Sequence, residues 1–241
     1  MVNSLIAYCG AAALPADAWS RWNFYPPLLL ALAGLAWAVA RGRGADARAG
    51  WGALALMAVV FVSPLCALSS ALFSVRVLHH VILVSAVAPL LALAFPQRRA
   101  GPVPLPMLVA AHAVVLWVWH APGAYAWGLA SIPGYWLMQL TLLGSAWLLW
   151  RAVLSPATQE GQALVALAVT VGQMGLLGAL IVFASVPLYP VHFASALAWG
   201  FTPLADQQLA GLLMWVPAML PYLAVGLWRA WASLRPTEAA L

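Results

Sequence analysis

The chain has 241 residues, of which 66% are hydrophobic and only 6% charged, and its mean hydropathy is +0.97. A soluble domain carries roughly a quarter charged residues, so this composition excludes one and predicts an integral membrane protein. The formal net charge of +5 comes from ten arginines with no lysine; they stand in short stretches between apolar runs, where they mark topology, and no nucleic-acid partner is expected.

Apolar runs of spanning length fall near residues 24–40, 51–72, 75–95, 105–121, 134–153, 162–186 and 208–228. They predict an all-α bundle of about seven transmembrane helices in a lipid bilayer, with a tail over 1–23, a membrane domain over 24–228 and a second tail over 229–241. Arg41, Arg43, Arg48, Arg98, Arg99, Arg151, Arg229 and Arg235 fall on one side of such a bundle, and only Arg21 and Arg76 on the other. The positive-inside rule therefore places the N-terminus outside and the C-terminus in the cytoplasm.

No basic residue precedes the short apolar patch of the first tail, as a secretory signal requires, and Tyr8 before Cys9 does not suit a lipoprotein cleavage site. Trp19, Trp22 and Tyr25 read as an interfacial belt. Pro64 predicts a kink in the second run, beside Cys66. Cys9 and Cys66 both fall outside; they are expected as separate buried small residues, with a disulfide or a single metal contact as alternatives. The third run, SVRVLHHVILVSAVAPLLALAFP, carries Arg76, His79 and His80 in its first turns, groups that hydrocarbon does not tolerate without partners. Arg76 is expected to snorkel toward water.

His112 lies mid-membrane in the fourth run, where a hydrogen bond to a neighbouring helix is expected, while His120 stands at its outer end beside Pro122. Met138 and Gln139 follow near the outer end of the fifth run. Gly172, Gly175 and Gly178 give the sixth a small face for close helix approach, with Gln173 and Met174 read as packing and interhelical hydrogen bonding. His192 sits in the next outer loop. In the stretch DQQLAGLLMW, Gln207 and Met214 share a face with Gly211 between them, so that face admits a close neighbour, and Asp206 has an N-cap role as the plainer alternative.

His79, His80, His120 and His192 thus fall on the outer side together with Asp206. Imidazole and thioether donors without a carboxylate cluster suit copper as Cu(I). Adjacent His79 and His80 point about 100° apart, so at most one faces a given centre. Arg76 shares the face of His80, an awkward neighbour for a metal unless Asp206 or another anion neutralises it. Of five carboxylates, Asp46, Glu160 and Glu238 fall on the cytoplasmic side, and no nucleophile elbow, phosphate loop or HExxH is present, so no enzyme is expected. Two alternatives stand beside copper handling: a b-type haem held axially by His80 and His120, and a cofactor-free scaffold.

The third run, the stretch WVWHAPGAYAWGLASIPGYWLMQLTLLGSAWLLWRAVL and the stretch PLADQQLAGLLMWVP resemble, in order and spacing, the signature regions of the CtaG family of bacterial cytochrome c oxidase assembly factors. The resemblance implies a multi-spanning protein of the bacterial plasma (inner) membrane that delivers copper to a haem-copper oxidase subunit, receiving it from an outside copper chaperone. It further implies metal contacts at His80, His120 and Met214 supported by His79 and Asp206, with Gln207 and Trp215 in the same motif. Many members place a His where this chain has Arg76 or near Gln139, and a Gln where it has His79. His192 and Gln139 complete the supporting set.

Overall fold

The computed structural model describes residues 5–6, 8–42 and 46–234. A two-stranded antiparallel hairpin, β1 (Leu5–Ile6) and β2 (Gly10–Ala11), begins the chain. Gly10 turns it at φ +81°, a backbone region that only glycine enters freely. After residue 25 the regular elements among the described residues are helices: α1 (Pro26–Arg41), α2 (Ala47–Phe61), α3 (Leu65–Ala71), α4 (Phe73–Ile82) and α5 (Ala88–Ala94), then α6 (Leu105–His120), α7 (Pro122–Leu129) and α8 (Ile132–Val153). The last four are α9 (Glu160–Phe183), α10 (Phe193–Ala198), α11 (Pro203–Trp215) and α12 (Leu220–Leu234).

All seven apolar runs fold as helix, but fewer than seven meet a length-and-hydropathy requirement for crossing a membrane. Phe73–Ala94, Glu160–Phe183 and Pro203–Leu234 do so as single stretches. The bent pairs α2 with α3 (47°) and α6 with α7 (78°) bring the number to five. Pro64 and Pro122 stand at these bends because proline cannot donate to the preceding turn. Helix α1 has only 16 residues, and Tyr135, Trp136 and Gln139 dilute the hydropathy of α8. The last helix does not stop at residue 228 but continues through Arg229 to Leu234. Arg43, Arg235 and Glu238 lie outside the described residues.

Between α4 and α5 the helix loosens into a π turn over Leu83–Val87. Pro89 has no N–H to offer the Ser85 carbonyl, and a wider turn absorbs the missing bond. The Val84 carbonyl in this turn accepts from the Trp150 indole at 2.9 Å and from the Tyr222 hydroxyl at 3.5 Å. Three elements are thereby pinned one turn below His80.

Close packing of α9 on α11 fixes the other half of the bundle. A Cβ on Gly211 would lie 2.7 Å from the Gly178 carbonyl oxygen, and one on Gly178 would lie 3.0 Å from that of Gly211. These two glycines let the backbones touch. Gly172, in contrast, faces open space, and Gly175 meets only the Trp215 ring at 3.7 Å. The small face expected at all three glycines is therefore confined to the end nearest α11.

The two cysteines, expected as separate buried residues, are joined: Cys9 and Cys66 form a disulfide with Cα atoms 5.6 Å apart. Asn23 reinforces the strap, its side-chain amide donating to the Phe61 carbonyl at 3.0 Å and to the Tyr8 hydroxyl at 3.2 Å. The Trp199 indole donates to the Ala13 carbonyl at 2.9 Å. The N-terminal segment thus closes over the end of the bundle where α4 begins. At the opposite end, Arg229 is bound by Glu160 at 2.6 and 2.7 Å and donates to the Val153 and Thr158 carbonyls.

Candidate functional site

Four helices converge on one small void. His80 of α4, His120 of α6, Met174 of α9 and Met214 of α11 line it, with Val77, Val81, Val84, Leu116 and Ala218 completing the wall. Its volume is about 10 Å³, at the lower limit of room for a single water. All four donor side chains are buried. The contact between Gly178 and Gly211 explains why the two methionines meet, since each lies about one helical turn from its glycine.

The imidazoles are held in set orientations. The His80 and His120 ring centroids are 5.9 Å apart with planes at 83°. Nδ1–H of His120 donates to the Leu116 carbonyl at 2.7 Å, which leaves the Nε2 lone pair available. The Gln139 amide meets Nε2 of His80 at 3.3 Å, and Nδ1 of His80 has no hydrogen-bond partner. Two nitrogens and two thioether sulfurs make a soft donor set with no carboxylate in it. Among the described residues no three His, Cys, Asp or Glu side chains form a metal-holding group, so any ion here depends on the methionines.

The remaining expected residues sit around this centre rather than on it. His79 points away from the void and packs edge-on against Phe61 at 5.1 Å, as the 100° offset from His80 requires. Asp206 caps α4 instead of its own helix: its carboxylate accepts from the backbone N–H of Phe73 at 2.7 Å and of Ser74 at 3.1 Å, and from the Ser74 hydroxyl. Both oxygens are committed at a helix N-terminus, where negative charge is favoured. Gln207 accepts from the Leu188 N–H at 2.6 Å and donates to the Ile181 and Val186 carbonyls, tying off the end of α9. Trp215 packs over Gly175 and Gly178.

Arg76 does not snorkel. Its side chain is fully buried, Nε donates to the Ser69 carbonyl at 3.1 Å, and the guanidinium lies over the Tyr135 ring at 5.2 Å. Neither terminal nitrogen has a hydrogen-bond partner among the described residues, and no ion pair links it to Asp206. The Ser69 carbonyl of α3 and the Tyr135 ring of α8 hold it inside the bundle. His192 belongs to the same layer: its Nε2 accepts from the Tyr125 hydroxyl at 2.6 Å. Burial, with the Arg76 charge adding to it, lowers the His192 pKa to about 3, so this ring is neutral at pH 7.

His112 follows the expectation for a lone mid-helix histidine, pairing with Ser145 of α8 at 2.9 Å. Met174, expected as packing, also lines the void. A signal for it existed: Met174 precedes Gly178 by four residues and Met214 follows Gly211 by three, so a close approach at the glycines brings the two thioethers to the same level.

Residues 33–235 match the family model described as cytochrome c oxidase caa3 assembly factor, Caa3_CtaG. No curated protein and no solved structure matches the chain.

Proposed function

The chain belongs to the Caa3_CtaG family of cytochrome c oxidase assembly factors, and from that membership we propose that it carries Cu(I) on the His80, His120, Met174 and Met214 set for insertion into the oxidase. The observation that carries this reading is the void itself, bounded by two imidazoles and two thioethers from four different helices. Such donors favour Cu(I) over hard cations, which want several carboxylates. The small volume favours an ion over a haem, whose macrocycle needs a slot between His80 and His120.

The protein supplies orientation and a dry wall. The Leu116 carbonyl fixes the tautomer of His120, and the Gln139 side-chain amide nitrogen stands against Nε2 of His80 and orients that ring. Transfer is then ligand exchange with no change of oxidation state: copper arrives from an outside chaperone, exchanges thioethers and imidazoles, and passes to an oxidase subunit. Asp206 keeps α4 in register by capping it, and His79 and Gln207 act through packing and backbone bonds. Seven spans with the N-terminus outside give the site its side of the membrane. That orientation is supported by the eight-to-two arginine split and by a disulfide at the His80 end, as expected in an oxidising compartment.

The test is reconstitution of the purified chain with Cu(I), followed by assembly of the oxidase in cells. One copper per chain is expected for the wild type, with loss of copper and of oxidase assembly in the double variant His80→Ala/His120→Ala. Oxidase assembly that survives this double variant would leave only the scaffold reading.

A further inference from the structure

At the end of the bundle away from the disulfide, two clefts share one arginine. The first, about 460 Å³, runs between α1, α5 and α8 and is lined by Leu35, Leu91, Phe95, Leu140, Leu143 and Trp147, ending at Arg151. The second, about 670 Å³, lies under the loop over 96–103 and gathers Arg98, Arg99 and Arg151. Each has the size of a small-molecule site, roughly 300–1,000 Å³. Together they make an apolar trough opening into a mouth lined by three arginines, with no carboxylate among the described residues of its lining.

Two groups at the junction are left with donors to spare. The Trp147 indole N–H and the Nε–H of Arg151 have no acceptor among the described residues, although the Arg151 guanidinium stacks on the Trp147 ring at 4.8 Å. Unpaired buried donors are costly, and their presence where an apolar groove meets a cationic cleft calls for an acceptor supplied from outside the chain. A phosphodiester meets that need: it brings anionic oxygens to the arginines, ester oxygens to the indole, and hydrocarbon to the trough.

We propose that this junction is a binding site for an anionic phospholipid, with an acyl chain in the trough between α1, α5 and α8 and the phosphate against Arg98, Arg99 and Arg151. The site is separate from the His80 and His120 centre, and lipid binding here stands or falls independently of copper. Its consequence is a requirement for anionic lipid in the leaflet at this end, which anchors the end of α8 and the loop after α5 at the depth of the headgroups.

The experiment uses the full chain in nonionic detergent, mixed with equal amounts of phosphatidylglycerol and phosphatidylcholine, and measures retained lipid by native mass spectrometry. Phosphatidylglycerol should be retained over phosphatidylcholine by about tenfold or more, given about fivefold per arginine near the headgroup. The variant Arg98→Gln/Arg99→Gln/Arg151→Gln should fall to within about twofold of no preference. Arg99→Gln alone, an exposed loop change, should lose about fivefold and guards against a misfolded triple variant. Phosphatidylglycerol, but not inorganic phosphate, should raise the melting temperature of the wild type. Equal retention of the two lipids, an undiminished preference in a folded variant, or equal stabilisation by phosphate would overturn the proposal.

Discussion

Gly211→Ala isolates the contact that brings the two methionines together. The new Cβ would stand 2.6 Å from Cγ2 of Val182, 2.7 Å from the Gly178 carbonyl oxygen and 2.9 Å from the Val182 backbone nitrogen. Two of these neighbours are backbone, so a rotamer change cannot relieve them; α11 must retreat from α9 by about 0.7 Å to restore ordinary contact. Overpacking of this kind costs about 1–3 kcal/mol, against which the better helix propensity of alanine returns about 1 kcal/mol. A net loss of up to about 2 kcal/mol should lower the melting temperature by up to about 8 °C for a chain of this size. Because Met214 rides on the displaced helix, Cu(I) affinity should fall by about tenfold or more, the range seen when supporting groups of a metal site are removed. Gly172→Ala is the matched control: nothing lies within 4 Å of its Cβ, so it should be neutral or slightly stabilising. Thermal unfolding in detergent and competition with a Cu(I) chelator read both effects. A Gly211→Ala protein as stable and as copper-avid as Gly172→Ala would refute the close-contact account.

Breaking the disulfide with Cys9→Ser/Cys66→Ser opens a loop with a sequence separation of 57 and should cost roughly 4 kcal/mol by loop-closure entropy; reductant should destabilise the wild type but leave the variant unchanged, and equal responses would count against the bond. His192 has a folded pKa lowered to about 3 from 6.5, so its neutral form contributes stability that is fully present above pH 6.5 and is lost as pH falls from there toward about 3. Melting curves at pH 7.5 and 5.5 should therefore show a drop that is smaller in His192→Gln by about 1 kcal/mol, and the same drop in both proteins would contradict it. Arg229→Ala removes the ion pair with Glu160 and two bonds to the Val153 and Thr158 carbonyls. Because Glu160 is 44% exposed and can be hydrated, the loss should be about 2 kcal/mol rather than that of a fully buried pair; an unchanged melting temperature would show that the end of α12 contributes nothing.

What was legible in the sequence follows from how far each signal reaches. The helices, the bend at Pro64 and the His112 bond to a neighbouring helix rest on hydropathy and local backbone chemistry, which a few residues determine. The offset between His79 and His80 is likewise a property of one helix, and it correctly separates the ring on the void from the ring against Phe61. Asp206 was harder to place, because a carboxylate at a helix start reads as a cap for that helix, whereas here it reaches across to the N–H groups of α4. Arg76 near a helix end reads as a snorkeller; only tertiary neighbours, the Ser69 carbonyl of α3 and the Tyr135 ring of α8, hold the buried charge inside. Met174 looks like packing until two glycines on different helices are known to touch. Each of these depends on a tertiary neighbour that no periodicity encodes.

The most direct test of the copper account is X-ray absorption on the Cu(I)-loaded chain, which reads the donor atoms themselves. The account predicts one copper per chain in a mixed shell of imidazole nitrogen and thioether sulfur, with the sulfur component lost in Met174→Leu/Met214→Leu. A chain that retains no copper, or one whose copper is bound by nitrogen and oxygen alone in both proteins, would contradict it.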